Sequence, residues 1–138
     1  MLQRASIGLL VLVAACNDGA VDPCPAGNEK PVLEIGAASN QATGASIPVI
    51  AITNITLDGA PVDTAVLRSN FRWNIARTSK GITCTVPCSF GREPGSYAFD
   101  ARATGFYETT AHVVAQYSQI PSGCPAAHGK PAQVALAL

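Results

Sequence analysis

Residues 32–138 predict an all-β fold, a single two-sheet sandwich of about seven short strands. Three observations carry this. Charged residues make up only 13% of the chain, while 12 Gly and 10 Pro punctuate short apolar runs, a composition that favours strands and turns over helices. Several of those runs alternate apolar and polar residues with period two, which sends successive side chains to opposite faces of a sheet. No stretch long enough for an ordinary helix carries a 3.6-residue period, with only a brief turn open to residues 62–69.

The chain begins Met1-Leu2-Gln3-Arg4, a short start with one positive charge. It continues through the apolar run Ala5-Ser6-Ile7-Gly8-Leu9-Leu10-Val11-Leu12-Val13 to Ala14-Ala15-Cys16. This order predicts a cleaved signal peptide over residues 1–15. A spanning helix needs about 20 apolar residues, and Asn17-Asp18 interrupts the run first. Val13-Ala14-Ala15-Cys16 resembles the bacterial lipobox, in which small residues precede a cysteine that receives a diacylglyceryl thioether before cleavage. The resemblance implies that Cys16 becomes the lipid-bearing first residue of the mature chain. Its partner is then a membrane of the bacterial cell envelope, held by acyl chains worth about 0.8 kcal/mol per buried methylene. The alternative is an ordinary secretory signal cut at an A-x-A-like site, with Cys16 a structural cysteine. Under the aspartate sorting rule of lipoproteins, Asp after the cysteine retains a protein at the inner membrane. Asn17 stands there, so the outer membrane is expected.

Residues 16–31, rich in Gly, Pro, Asn and Asp and without apolar alternation, predict a tether. Val32-Leu33-Glu34-Ile35 predicts a first short strand, followed by a loop over residues 36–46. Residues 47–57, with Val49, Ile50, Ile52, Ile55 and Leu57, supply one long or two short strands interrupted near Thr53-Asn54. Asp58-Gly59 is a tight-turn dipeptide, and Ala60-Pro61-Val62 resumes an extended course because proline excludes helix at the residue before it. In residues 71–77, Phe71, Trp73 and Ile75 fall on one face, which predicts a strand. Residues 97–103 place Tyr97, Phe99, Ala101 and Ala103 inward, with Asp100 and Arg102 outward. Residues 109–117 keep Ala111, Val113, Ala115 and Tyr117 to one side, and residues 132–138 group Val134, Leu136 and Leu138.

Removing residues 1–15 leaves 123 residues, enough for one domain and a tether. Arg4 leaves with the signal, so eight basic side chains face nine acidic ones, without the clustered Lys and Arg that a nucleic-acid surface needs. Besides Cys16 there are four cysteines, Cys24, Cys84, Cys88 and Cys124, an even number in an exported chain, and they predict two disulfides. A metal site would need thiolates grouped with histidine. His112 and His128 lie in unrelated contexts, and Cys84-x-x-x-Cys88 has no matching pair.

From Asp58 onward the order of features resembles the carboxypeptidase regulatory-like domains, a transthyretin-like sandwich family. The residues carrying the likeness are those of 58–66, the Gly95-Ser96-Tyr97 opening through Ala103-Thr104-Gly105-Phe106-Tyr107, and the Cys124 segment running into Gln133-Val134-Ala135-Leu136-Ala137-Leu138. The likeness spans residues 47–138, and the same Gly-Tyr signature recurs in immunoglobulin-like repeats. It implies a strand opened by Gly95, a turn at Gly105 capped by Phe106 and Tyr107, and a returning strand over 109–117. If those two strands form a hairpin, its open end brings Cys88 or Cys84 near Cys124. The favoured pairing is then Cys88 with Cys124 and Cys24 with Cys84. The competing one is a local Cys84–Cys88 loop with Cys24 joined to Cys124.

Paired carboxylates, a nucleophile elbow, a phosphate loop and metal-ligand spacing are missing from the sequence, so it assigns no catalytic residue, metal or cofactor. His112 alternates outward on its strand and reads as a solvated histidine. Arg68, Arg72 and Arg77 cluster around Trp73. They form either an exposed cation–π patch for an envelope protein or glycan, or the surroundings of a core tryptophan. Asn54-Ile55-Thr56 matches a glycosylation acceptor that stands idle in a bacterial lipoprotein. The resemblance implies a non-enzymatic binding or accessory module. The alternatives are a protease inhibitor or small secreted enzyme using a Cys84 to Glu93 loop, and a structural spacer.

Overall fold

The computed structural model describes residue 24, residues 30–63, residue 67 and residues 71–138. Residues 1–23, and with them the signal peptide, Cys16 and most of the tether, lie outside the described residues, as does Arg68. The described chain is all-β, with nine strands in two packed sheets. The smaller sheet has the order β6-β1-β9, with β1 Leu33–Ser39 between β6 Cys88–Phe90 and β9 Ala132–Ala137. The larger runs β4-β5-β2-β7-β8, from β4 Ile75–Arg77 through β5 Gly81–Thr85, β2 Val49–Leu57 and β7 Gly95–Arg102 to β8 Thr109–Ala115. The two-residue β3 Ala60–Pro61 folds back on β2. All pairings are antiparallel except β1 with β9.

The core lies between the sheets and is built by the predicted alternation. Leu33, Ile35 and Phe90 point in from the small sheet, and Ile50, Ile52, Ile82 and Phe99 from the large one, all essentially without solvent contact. Phe90 meets Phe99 edge-on at 5.5 Å and Tyr97 edge-on at 6.2 Å, the arrangement that aromatic quadrupoles favour. Tyr97, Phe99, Ala101 and Ala103 are buried as expected. Ala111, Val113 and Tyr117 pack against the same core while His112, Val114 and Gln116 face solvent.

Four expectations are corrected. The first strand does not stop at Ile35. It continues past a bulge at Gly36 to Ser39, because Ala37, Ala38 and Ser39 pair with Ala135, Leu136 and Ala137 of β9. Residues 71–77 are not one strand. Phe71–Trp73 forms a 3-10 turn and Asn74 takes φ 54°, which asparagine tolerates, so the strand begins only at Ile75. Gly105 makes its turn and Phe106 closes it by donating its N–H to the Ala103 carbonyl, but Tyr107 is 94% exposed and caps nothing.

The favoured disulfide pairing is replaced by the competing one. Cys24 joins Cys124, with Cα atoms 5.5 Å apart, and Cys84 joins Cys88 at 5.6 Å. The β7–β8 hairpin exists, yet Cys88 lies within β6 opposite Ile35 and is buried against Cys84. From there it cannot reach Cys124, which is only half-buried in the β8–β9 connection. Because β5 belongs to the large sheet and β6 to the small one, Cys84–Cys88 ties the two layers together through the core.

Candidate functional site

A broad concavity among the described residues opens at the end of the sandwich where β2 turns into β3. Its 760 Å³ are walled by Leu57, Val62, Leu67, Trp73, Ile75, Phe90 and Tyr97, with Asp58, Asp63, Arg92 and Glu93 also lining it. The turn is set locally. Asp58 and Gly59 have φ of 51° and 81°, the pair of positive angles that a two-residue hairpin of matching twist requires. Asp58 then fastens the turn to β7. Its N–H donates to the Ser96 carbonyl at 2.8 Å, and its Oδ1 accepts from the Ser96 N–H at 2.8 Å.

Trp73 is half-buried, its indole forming one wall of the cleft. The guanidinium seated over that ring, 5.4 Å from its centroid, belongs to Arg92 in the β6–β7 connection. Sequence proximity had pointed to Arg68, Arg72 and Arg77; Arg72 and Arg77 are exposed. The arginine that stacks on Trp73 arrives through the sheet crossover, and no sequence spacing announces it. Tyr97 closes the cleft floor, and its hydroxyl donates to the Glu93 carbonyl at 2.8 Å. Burial, reinforced by the nearby Glu93 carboxylate, pushes its phenol up to about 12. Tyr97 is therefore a fixed hydrogen-bond donor across the ordinary pH range.

The entry of the chain into the sandwich is latched beside this end. The Tyr117 hydroxyl shares its proton between the Lys30 carbonyl at 2.8 Å and the Arg92 carbonyl at 3.2 Å. On the solvent face of the large sheet, Asp100 accepts from Asn54 Nδ2 at 2.7 Å and from Thr110 Oγ1 at 2.6 Å, linking β2, β7 and β8. These two donors hold its carboxyl below the usual carboxylate range. Asn54, the first residue of the acceptor-like triplet, is thus engaged within the sheet.

Comparison with known proteins finds no family model, no curated protein and no solved structure that matches this chain.

The remaining candidates fall apart in space. His112 is exposed on β8, and His128 sits half-buried in the 3-10 turn Ala126–His128. No group of three or more His, Cys, Asp or Glu side chains that could hold a metal occurs among the described residues. The Cys84 to Glu93 segment runs from β5 through β6 into the β6–β7 connection. Cys84, Cys88, Ser89 and Phe90 are buried, while Thr85, Pro87, Arg92 and Glu93 are exposed.

Proposed function

We propose that this chain is a lipid-anchored module of the bacterial cell envelope. In this reading Cys16 carries the lipid, the segment to residue 31 is a tether, and the sandwich is a non-enzymatic binding or accessory domain similar to the carboxypeptidase regulatory-like modules. The observation that carries the anchor is the use of the cysteines. Four of five pair with each other in two disulfides, and the fifth stands directly after Val13-Ala14-Ala15 at the end of an apolar run. Asn17 favours the outer membrane.

The binding half of the reading rests on the cleft at the β2–β3 turn. An apolar wall containing one tryptophan, with a stacked arginine and a carboxylate-bearing rim, suits a protein segment or glycan that offers an apolar or planar face and hydrogen-bonding groups. Non-reducing mass spectrometry of the native membrane-extracted protein tests the anchor. A first residue at Cys16 carrying acyl mass is the expected result, whereas a free Cys16 thiol or a start elsewhere overturns it. For the cleft, pull-downs from envelope extracts are expected to retain a partner with the wild-type chain and to lose it with Trp73→Ala. Retention by the variant would move the binding surface elsewhere.

A further inference from the structure

We infer that β8 is a self-association edge, along which two copies of this chain join their large sheets antiparallel about a twofold axis at His112. The starting point is the direction of the backbone groups. In an antiparallel ladder, residues alternate between those bonding one neighbour and those bonding the other. Ser96 exchanges its backbone groups with Asp58 on the β2 side, so Gly95, Tyr97, Phe99 and Ala101 are the β7 residues that bond β8. Their register partners are Ala115, Val113, Ala111 and Thr109. The N–H and C=O groups of Thr110, His112 and Val114 consequently point away from the sheet, and no backbone hydrogen bond among the described residues uses them.

An open edge of this kind is a template for another strand, and folded proteins ordinarily blunt it with charge, proline or brevity. Two of the other three edges conform. At the opposite end of the large sheet, β4 is three residues long and ends in Arg77. In the small sheet, β6 is three residues and buried, whereas β9, six residues without charge or proline, exposes only the side chains of Gln133, Ala135 and Ala137, none of them a large apolar group. By contrast, β8 has seven residues, and from Thr109 to Tyr117 there is no charged residue, proline or glycine. Among the described residues, the two most exposed large hydrophobic ones, Val114 at 67% and Tyr107 at 94%, lie on this strand and just before it.

The strand also fits itself. A twofold at His112 sets Thr110 opposite Val114 of the second copy on the solvent face and Ala111 opposite Val113 on the core face, with no like-charge contact. It engages all three pairs of open backbone groups at once and covers Val114. A second copy is therefore the occupant that the strand's own sequence specifies.

The register makes a sharp test, because directly hydrogen-bonded residues have Cα atoms about 5.5 Å apart. The full-length chain carrying His112→Cys is treated in intact cells with a short, membrane-permeant bifunctional thiol reagent, with wild type setting the background. A covalent dimer of twice the chain mass is expected. It should be missing from Ala76→Cys on the opposite edge, and lost when Val114→Lys is added to His112→Cys. Both positions are solvent-facing, so the sandwich itself is left intact. His112→Cys remaining monomeric, Ala76→Cys cross-linking equally, a dimer that survives Val114→Lys, or a product of another mass would each overturn the assignment.

Discussion

Tyr97 concentrates in one side chain what the period-two pattern does and does not convey. Its ring is placed in the core by alternation, but the partner of its hydroxyl, the Glu93 carbonyl, depends on how the β6–β7 connection folds back. The phenol's elevation to about 12 has a consequence for stability. The folded state holds the proton more tightly than the unfolded chain, so the associated stability is complete below about pH 10 and is lost as pH rises from there through about 12. Ultraviolet titration is expected to show a tyrosine with its midpoint near 12 that vanishes in Tyr97→Phe, and that variant should unfold less steeply with alkali. Removing one hydrogen-bond donor at neutral pH should cost about 1 kcal/mol. A titration unchanged by Tyr97→Phe would assign the shift to another residue. Asp100 runs in the opposite sense. Thr110 and Asn54 donate to its carboxylate, so its contribution is present above the unfolded value and is lost as acid protonates it below that value. NMR titration should show Thr110→Ala moving its midpoint upward, and an unmoved midpoint would remove the hydroxyl as the cause.

Strands were legible where side chains alone decide them and illegible where backbone or partner does. Strands β7 and β8 alternate cleanly, and the Asp58-Gly59 dipeptide specifies its own hairpin, so their placement followed from sequence. Strand β5 carried a signal too, with Ile82 and Cys84 inward and Thr83 and Thr85 outward. A cysteine in an exported chain reads as half of a disulfide, which masks its second character as a small apolar core residue. The C-terminal half of β1 has no comparable signal, since Ala37, Ala38 and Ser39 become a strand only through pairing with β9. Residues 71–77 show the reverse failure, where correct alternation is broken by a left-handed Asn74 whose side chain donates to the Pro87 carbonyl at 2.8 Å. At the start of β5, Gly81 is buried against β2, and a Cβ there would collide with the Ile52 carbonyl. Gly81→Ala should force the β2–β5 ladder apart and destabilise the fold by about 1–3 kcal/mol in urea unfolding. A midpoint equal to wild type would show that the two strands can separate without cost.

At the scale of the molecule, the two disulfides divide the work of closing the sandwich, and this division could not be read from spacing. Counting established that two bridges form. Choosing between pairings needed the knowledge that the chain crosses from one sheet to the other between Cys84 and Cys88, so that a four-residue separation spans the core and not a surface loop. The other bridge closes nearly the whole domain, 100 residues apart, and fastens the segment leading from the proposed anchor to the β8–β9 connection. In the chain-entropy model a loop of that length is worth about 4.7 kcal/mol, and the local one about half as much. Exposure ranks them in the opposite order of resistance. Cys24 and Cys124 are only half-buried, while Cys84 and Cys88 are shielded by both sheets. A reductant at neutral pH without denaturant is therefore expected to open Cys24–Cys124 first. Cys84–Cys88 should yield only at the rate of global unfolding, because its sulfurs meet solvent when the layers part. Alkylation of samples taken over time, followed by peptide mass spectrometry, separates the two events. If Cys84–Cys88 were reduced first or simultaneously, the sheets would have to open locally around β5 and β6. The core bridge would then be a mobile corner and not the clamp that holds the two layers together.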